Sequence, residues 1–225
     1  MFLRVAWLVM KKDLTVEIRS REILYTTAFF ALSCVLVFSF ALVKEGRPLE
    51  DAAAGILWIA IAFGGTLALG RTFERERSAE TLRALMLAPA SRPAIYLGKL
   101  LGVIVLLAAV EVVLVPAVGL LFDAPLFARP LELLGLLAAG TVGFAAVGTL
   151  FAAMLIRARS RDVLLPILLY PITIPVVIGG VRGTAALFEG PPEVALAHMW
   201  IGVLLFFDVV FVTLSLWTFE PLMTE

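Results

Sequence analysis

The sequence predicts an all-α integral membrane protein: an amphipathic N-terminal helix in the membrane interface followed by six transmembrane helices. Three observations carry this expectation. Of 225 residues, 62% are apolar and 16% are charged, with a mean hydropathy of +1.05, far outside the norm of soluble domains. Six apolar runs are long enough to cross about 30 Å of hydrocarbon, which takes roughly 20 helical residues. The formal net charge of zero also hides a steep separation of basic residues along the chain.

Residues 1–22 form the first element. Their apolar runs are broken by Lys11, Lys12 and Asp13, and no small-residue cleavage site follows, so a signal peptide is not expected. At 100° per residue, Leu3, Trp7, Met10, Leu14 and Ile18 fall within an arc of about 80°, with Arg4, Lys11, Thr15 and Arg19 on the neighbouring arc. This is the pattern of a helix lying flat in the interface before the chain turns inward at residues 20–22.

The spans are expected at residues 23–43, 52–70, 100–122, 133–156, 163–181 and 199–219. They leave only short loops, so residues 1–225 read as a single integral membrane domain. The fourth span carries Gly135, Gly140, Gly143 and Gly148, with the small pairs Ala139/Gly143 and Gly148/Ala152 that favour close helix approach. Pro166, Pro171 and Pro175 interrupt the fifth span and Pro116 the third. Each removes a backbone hydrogen bond, which predicts helix bends.

Between the second and third spans lies a polar, charged segment, residues 71–92 (RTFERERSAETLRALMLAPASR). Ala79, Leu82, Leu85 and Met86 recur at helical spacing and form a narrow apolar stripe. Glu74/Arg77 and Glu80/Arg83 supply i,i+3 pairs on the wet faces, and Arg75 shares this stretch. Pro89 ends the helical pattern. Such a helix can pack along the interface or insert into a partner's groove; a merely solvated face remains open for residues 74–77.

Fourteen of the eighteen basic residues fall on one side: Arg4, Lys11, Lys12, Arg19 and Arg21; Arg71, Arg75, Arg77, Arg83, Arg92 and Lys99; Arg157, Arg159 and Arg161. The other side holds Lys44, Arg47, Arg129 and Arg182 among seven carboxylates. The positive-inside rule therefore places both termini in the cytoplasm. Trp200 and Trp217 bracket the sixth span about 26 Å apart, as interfacial anchors do.

Two carboxylates sit near mid-span, Glu111 in the third span and Asp208 in the sixth. Each costs at least ~2.5–3.5 kcal/mol to insert, so each is expected to be protonated, paired or facing a polar cavity. A substrate path or helix-coupling contact is one reading; a neutral carboxyl pinning the bundle through a hydrogen bond is the other.

Other chemistries find no support. No G-x-x-x-x-G-K-[ST] motif exists, and the one Gly-Lys pair, Gly98–Lys99, is followed by Leu100, so a P-loop is absent. The single Cys34 excludes an internal disulfide and a C-x-x-C pair. His198 alone is no acid/base constellation, and no cofactor site is expected on this chain. Nothing in the pattern implies nucleic acid; membrane lipid is the implied surrounding.

The order of features resembles the ABC-2-type permeases. Specific strings narrow the resemblance: residues 12–22 (KDLTVEIRSRE), 29–42 (FFALSCVLVFSFAL), 87–101 (LAPASRPAIYLGKLL), 143–153 (GFAAVGTLFAA) and 161–181 (RDVLLPILLYPITIPVVIGGV). Together, over essentially the whole chain, they look like the CcmB family of haem exporter permease subunits. The tryptophan-rich haem-handling motif of CcmC and CcmF is absent. The resemblance implies a location in the bacterial inner membrane and a permease dimer formed with a second copy. It also implies a CcmA-type ATPase that binds ATP and Mg²⁺, CcmC and the small CcmD as partners, and release of the haem-loaded chaperone CcmE. Haem enters as substrate, and residues 74–86 become the ATPase-coupling helix. Two alternatives stay open: an ABC-2 permease for a lipid, glycan or drug, and a proton-coupled carrier using Glu111 and Asp208, for which the inverted repeats are missing.

Overall fold

The computed structural model describes residues 2–44, 47–48, 52–78, 91–158, 160–188 and 193–222. Seven helices appear among them: α1 (Phe2–Ser20), α2 (Glu22–Ala41), α3 (Ala53–Ser78), α4 (Arg92–Phe122), α5 (Pro130–Met154), α6 (Arg161–Ala185) and α7 (Val194–Leu222). The last six are long and apolar enough to cross a membrane, and the chain is an integral membrane protein. One small departure from helix follows α2, where Val43–Lys44 and Arg47–Pro48 pair antiparallel.

Local chemistry sets the breaks. Arg21 adopts a left-handed conformation, φ 54°, and its N–H closes onto the Glu17 carbonyl at 2.6 Å. A side chain in that region costs about 1–2 kcal/mol, yet the residue lets α1 end and α2 begin without a loop. Asp123 repeats the conformation after α4, with φ 54°. Proline opens α5 and stands in the first turn of α4, where its missing N–H removes no helical bond. Pro116 lies inside α4, and Pro166, Pro171 and Pro175 inside α6, and both helices remain continuous through them. The charged stretch after the second span begins as an extension of that span: α3 runs without a break to Ser78.

The helices divide into a centre and a periphery. In their most apolar stretches α5 and α3 are 78% and 67% buried, against 28% for α2 and 22% for α7. Glycine on α5 makes the centre possible. A Cβ at Gly140 would lie 2.1 Å from the Trp58 ring, and one at Gly180 of α6 would lie 2.2 Å from it. The indole of α3 is thus seated between two helices, and its Nε1 donates to Thr184 Oγ1 at 3.0 Å. Gly148 receives Leu69 of α3, and Gly143 receives Asp208 and Phe207 of α7. The glycines of the fourth span serve contacts within this chain.

α1 packs on α4, where a Cβ at Gly98 would meet the Ala6 carbonyl oxygen at 2.6 Å. Ala6, Val9 and Met10 are buried there, while Leu3, Trp7 and Ile18 are exposed. The helix therefore has three faces: one on the bundle, one apolar and open, and one carrying Arg4, Lys11 and Arg19. Met10 of the anticipated apolar stripe turns inward because it borders both.

Candidate coupling and transport site

The polar contacts of the structure gather at one end of the bundle, where α1, the C-terminal stem of α3 and the N-termini of α4 and α6 meet. The stem carries Glu74 and Arg75 side by side, about 100° apart around a helix. They reach different neighbours with opposite charge. Arg75 Nη1 donates to Glu17 Oε2 of α1 at 3.0 Å, and its Nη2 to Ser20 Oγ at 3.1 Å. The other Glu17 oxygen accepts the backbone N–H of Leu24 at 2.8 Å, which carries the linkage into the first turn of α2. Glu74 pairs with Arg161, the first residue of α6. Arg161 also donates from Nη2 to the Gly70 carbonyl at 3.3 Å, and its Nε lies 3.4 Å from Asp162 Oδ1.

A third pair binds α1 to α4. Lys99 Nζ lies 2.8 Å from Asp13 Oδ2, with the lysine side chain only 2% exposed; Lys12 meets the other Asp13 oxygen at 2.9 Å. A buried ammonium is tolerated only when paired, and the Asp13 pair meets that need. At the same end Arg92 donates to the Glu220 carbonyl at 3.3 Å and the Tyr96 ring meets that of Phe219 at a centroid distance of 5.3 Å, tilted by 48°, which ties in the C-terminal part of α7.

Of the residues singled out for ATPase coupling, Glu74 and Arg75 stand on this stem. Arg77 continues α3, and its side chain lies outside the described residues, as do Glu80, Leu82, Arg83, Leu85 and Met86. The mid-span carboxylates stand apart from the stem. Glu111 is buried, and the Thr141 hydroxyl of α5 donates to its Oε1. Asp208 is buried against Gly143, and its Oδ1 has no hydrogen-bond partner among the described residues. Thr141 and Gly143 are two residues apart, about 200° around α5, so the two carboxyls are on different sides of that helix and share no site.

Cavities bounded by the described residues open at the polar end. One of about 170 Å³ lies beneath α1, lined by Asp13, Glu17, Arg75 and Lys99 among others. The larger, about 870 Å³, lies between α2, α3 and α6, with Arg71, Glu74, Arg161 and Asp162 beside Phe30, Phe63 and Tyr170.

Sequence reasoning passed over Asp13, Glu17, Lys99 and Arg161 as partners and Thr141 altogether. A signal for the first two was present. Asp13 and Glu17 are acids four residues apart within an otherwise basic helix, hence on one face.

Among the described residues the fold is that of an integral membrane protein, with six helices long and apolar enough to cross a bilayer. The CcmB protein family matches residues 4–221, and the chain belongs to that family. It is 26% identical over 175 residues to heme exporter protein B of Pseudomonas aeruginosa, covering 78% of each chain. It is 25% identical over 183 residues to heme exporter protein B of Bradyrhizobium diazoefficiens, covering 81% of this chain and 82% of that one. A third relative, heme exporter protein B of Rhodobacter capsulatus, is 28% identical over 172 residues, covering 76% and 78%.

Proposed function

We propose that this chain is the membrane permease subunit of an ATP-driven haem exporter serving cytochrome c assembly, lying in the bacterial inner membrane with both termini in the cytoplasm. It works as a dimer with a CcmA-type ATPase, which alone binds ATP and Mg²⁺, and beside CcmC and CcmD. Its cycle moves haem or frees the haem-loaded chaperone CcmE. Family membership and the haem-exporter names of the relatives support this reading.

One observation carries the mechanism: the α3 stem holds α6 through Glu74–Arg161 and α1 through Arg75–Glu17. Residues 79–90 follow the stem directly. An ATPase that grips Leu82, Leu85 and Met86 would turn the stem, and both ion pairs would transmit that rotation at once. α6 would move through its first residue, and α2 through Glu17 and the Leu24 N–H. Glu111 and Asp208 meet different sides of α5, at Thr141 and Gly143, so they form no shared proton-relay site, which favours the ATP-driven reading.

Two variants test it. Leu82→Asp with Leu85→Asp should abolish co-purification of the ATPase while the membrane protein still inserts. Glu74→Gln should retain the ATPase yet lower haem-dependent cytochrome c maturation by up to about fivefold, because an ion pair whose carboxylate is half exposed contributes about 1 kcal/mol or less. Unchanged ATPase yield in the first variant removes the docking assignment. Full maturation in the second removes the stem from the coupling path.

A further inference from the structure

The contacts between α3 and α6 have a regularity that the stem alone does not explain. Trp58 Nε1 donates to Thr184 Oγ1 at 3.0 Å, Thr66 Oγ1 is hydrogen-bonded to the Tyr170 hydroxyl at 3.2 Å, and Glu74 pairs with Arg161. On α3 these rungs stand at residues 58, 66 and 74, hence about 12 Å apart along the helix. Together they cover about 24 Å, most of a hydrocarbon core of about 30 Å. Ring contacts fill the intervals: Phe63 meets Tyr170 edge-on at 5.9 Å, and the Trp58 indole is seated on Gly180. In lipid, apolar helix faces exchange neighbours at little cost, so close packing and side-chain hydrogen bonds decide which helices stay together. α2 carries no such rung among the described residues. The hydroxyls of Thr26, Ser33 and Ser39 turn back to carbonyls of their own helix. Thr27 Oγ1 has no hydrogen-bond partner among the described residues. The contact of α2 with α3 is smooth: a Cβ at Gly64 would meet the Ala31 methyl at 3.3 Å. Toward α6 lies the larger cavity, with Phe30 on the wall of α2 and Leu165, Pro166 and Tyr170 on that of α6. The polar tie of α2 is at its N-terminal end, where the Leu24 N–H donates to Glu17.

We infer that α3 and α6 move as one body, and that α2 swings against this body about its N-terminal tie, widening and narrowing the cleft between them. The nucleotide dependence of the swing rests on the ATP-driven reading above; the rigidity of the pair does not. Pro166 lies between the rungs at Arg161 and Tyr170, and Pro171 and Pro175 between those at Tyr170 and Thr184. Each proline is thus bracketed by bonds to α3 and shapes α6 without making it a hinge.

The test labels the full chain, in a Cys34→Ala background and with its ATPase, in phosphatidylcholine nanodiscs. Spin labels on Gly55→Cys of α3 and Ile178→Cys of α6 report the pair; labels on Phe40→Cys of α2 and Ile178→Cys report the swing. Phe40 and Ile178 are exposed, and a Cβ at Gly55 meets nothing within 4 Å. Between ADP and ATP with vanadate, the dipolar distance across α3 and α6 should stay constant. That across α2 and α6 should shift by more than the small sliding, about 1–2 Å, of helices that stay packed. Without nucleotide, Thr66→Val with Thr184→Val removes two rungs at nearly constant shape and should broaden the α3–α6 distance distribution. Tyr170→Phe should broaden it less, and Thr27→Val, which removes no rung, should leave its width unchanged. An α3–α6 distance that shifts as far as the α2–α6 distance, or an α3–α6 distribution that keeps its width in the Thr66→Val, Thr184→Val variant, overturns the single body. A constant α2–α6 distance while ATP hydrolysis continues overturns the swing. If no ATPase activity accompanies the chain, the ATP-driven reading falls and takes the swing with it, and the nucleotide-free variants still decide the pair.

Discussion

Glu111 is met by one hydroxyl, that of Thr141, across the contact between α4 and α5. Each partner is buried, at 7% and 2% exposure, so each depends on the other for satisfaction. Thr141→Val should lower stability by about 1–3 kcal/mol, the cost of an orphaned buried acceptor. Glu111→Leu should do the same by orphaning the hydroxyl. Glu111→Gln keeps an oxygen for Thr141 to reach and should be nearly neutral. Combining Glu111→Leu with Thr141→Val removes both groups and should recover much of the loss. Thermal unfolding of the purified complex measures all four, and a double variant as unstable as the summed singles would sink this account. The carboxyl was visible in the sequence as an expensive residue in an apolar run. Its partner was not, because threonine is common in spans and nothing in a linear pattern says which helix faces Glu111.

At the scale of elements, α1 is held by two ion pairs of different character. Lys99 is 2% exposed and Asp13 16%, whereas Arg75 is 30% exposed and Glu17 12%. Breaking a buried pair costs more than breaking an exposed one. Asp13→Asn should therefore destabilise by up to about 3–5 kcal/mol, and Glu17→Gln by about 1 kcal/mol or less. High salt should weaken the second contact and barely touch the first. Limited proteolysis of α1 reads the difference; equal susceptibility in the two variants would show that the pairs do not divide this way. The helix itself was legible from its 100° periodicity. Its bundle-facing side was not, because Ala6 and Val9 are short and sit beside Gly98, whereas the long apolar side chains that dominate the pattern point outward. In a membrane, apolar residues mark the lipid face as readily as the core.

The same ambiguity governs the whole molecule. Six runs of about 20 apolar residues announce six spans, but the enclosed α3 and α5 are no more apolar than the exposed α2 and α7, since lipid is as good a solvent for leucine as a protein interior. Glycine spacing on α5 was the better indicator of the centre, and it yielded contacts with Trp58, Leu69 and Asp208 that no periodicity identifies. Orientation is a property of the full charge pattern. In a Cys34→Ala background, Ala128→Cys, which lies after α4 at the end away from α1, should react with a membrane-impermeant thiol reagent in intact cells. Ser78→Cys on the α3 stem should react only after lysis. The reverse labelling would invert the bundle.

The Asp13–Lys99 contact joins residues 86 positions apart, and that distance has a meaning in time. A ribosome adding about 5–20 residues per second needs roughly 4–17 seconds to produce Lys99 after Asp13 has emerged. For that interval the nascent N-terminal helix lacks the α4 surface it packs on, and Asp13 has no buried cation to meet. What it does carry from the start is Leu3, Trp7 and Ile18 on one side and Arg4, Lys11 and Arg19 beside them. These suit the headgroup region of a bilayer and can hold the helix on the membrane it was made at. The outward stripe is therefore needed first, during biogenesis, and the inward face only once α4 arrives.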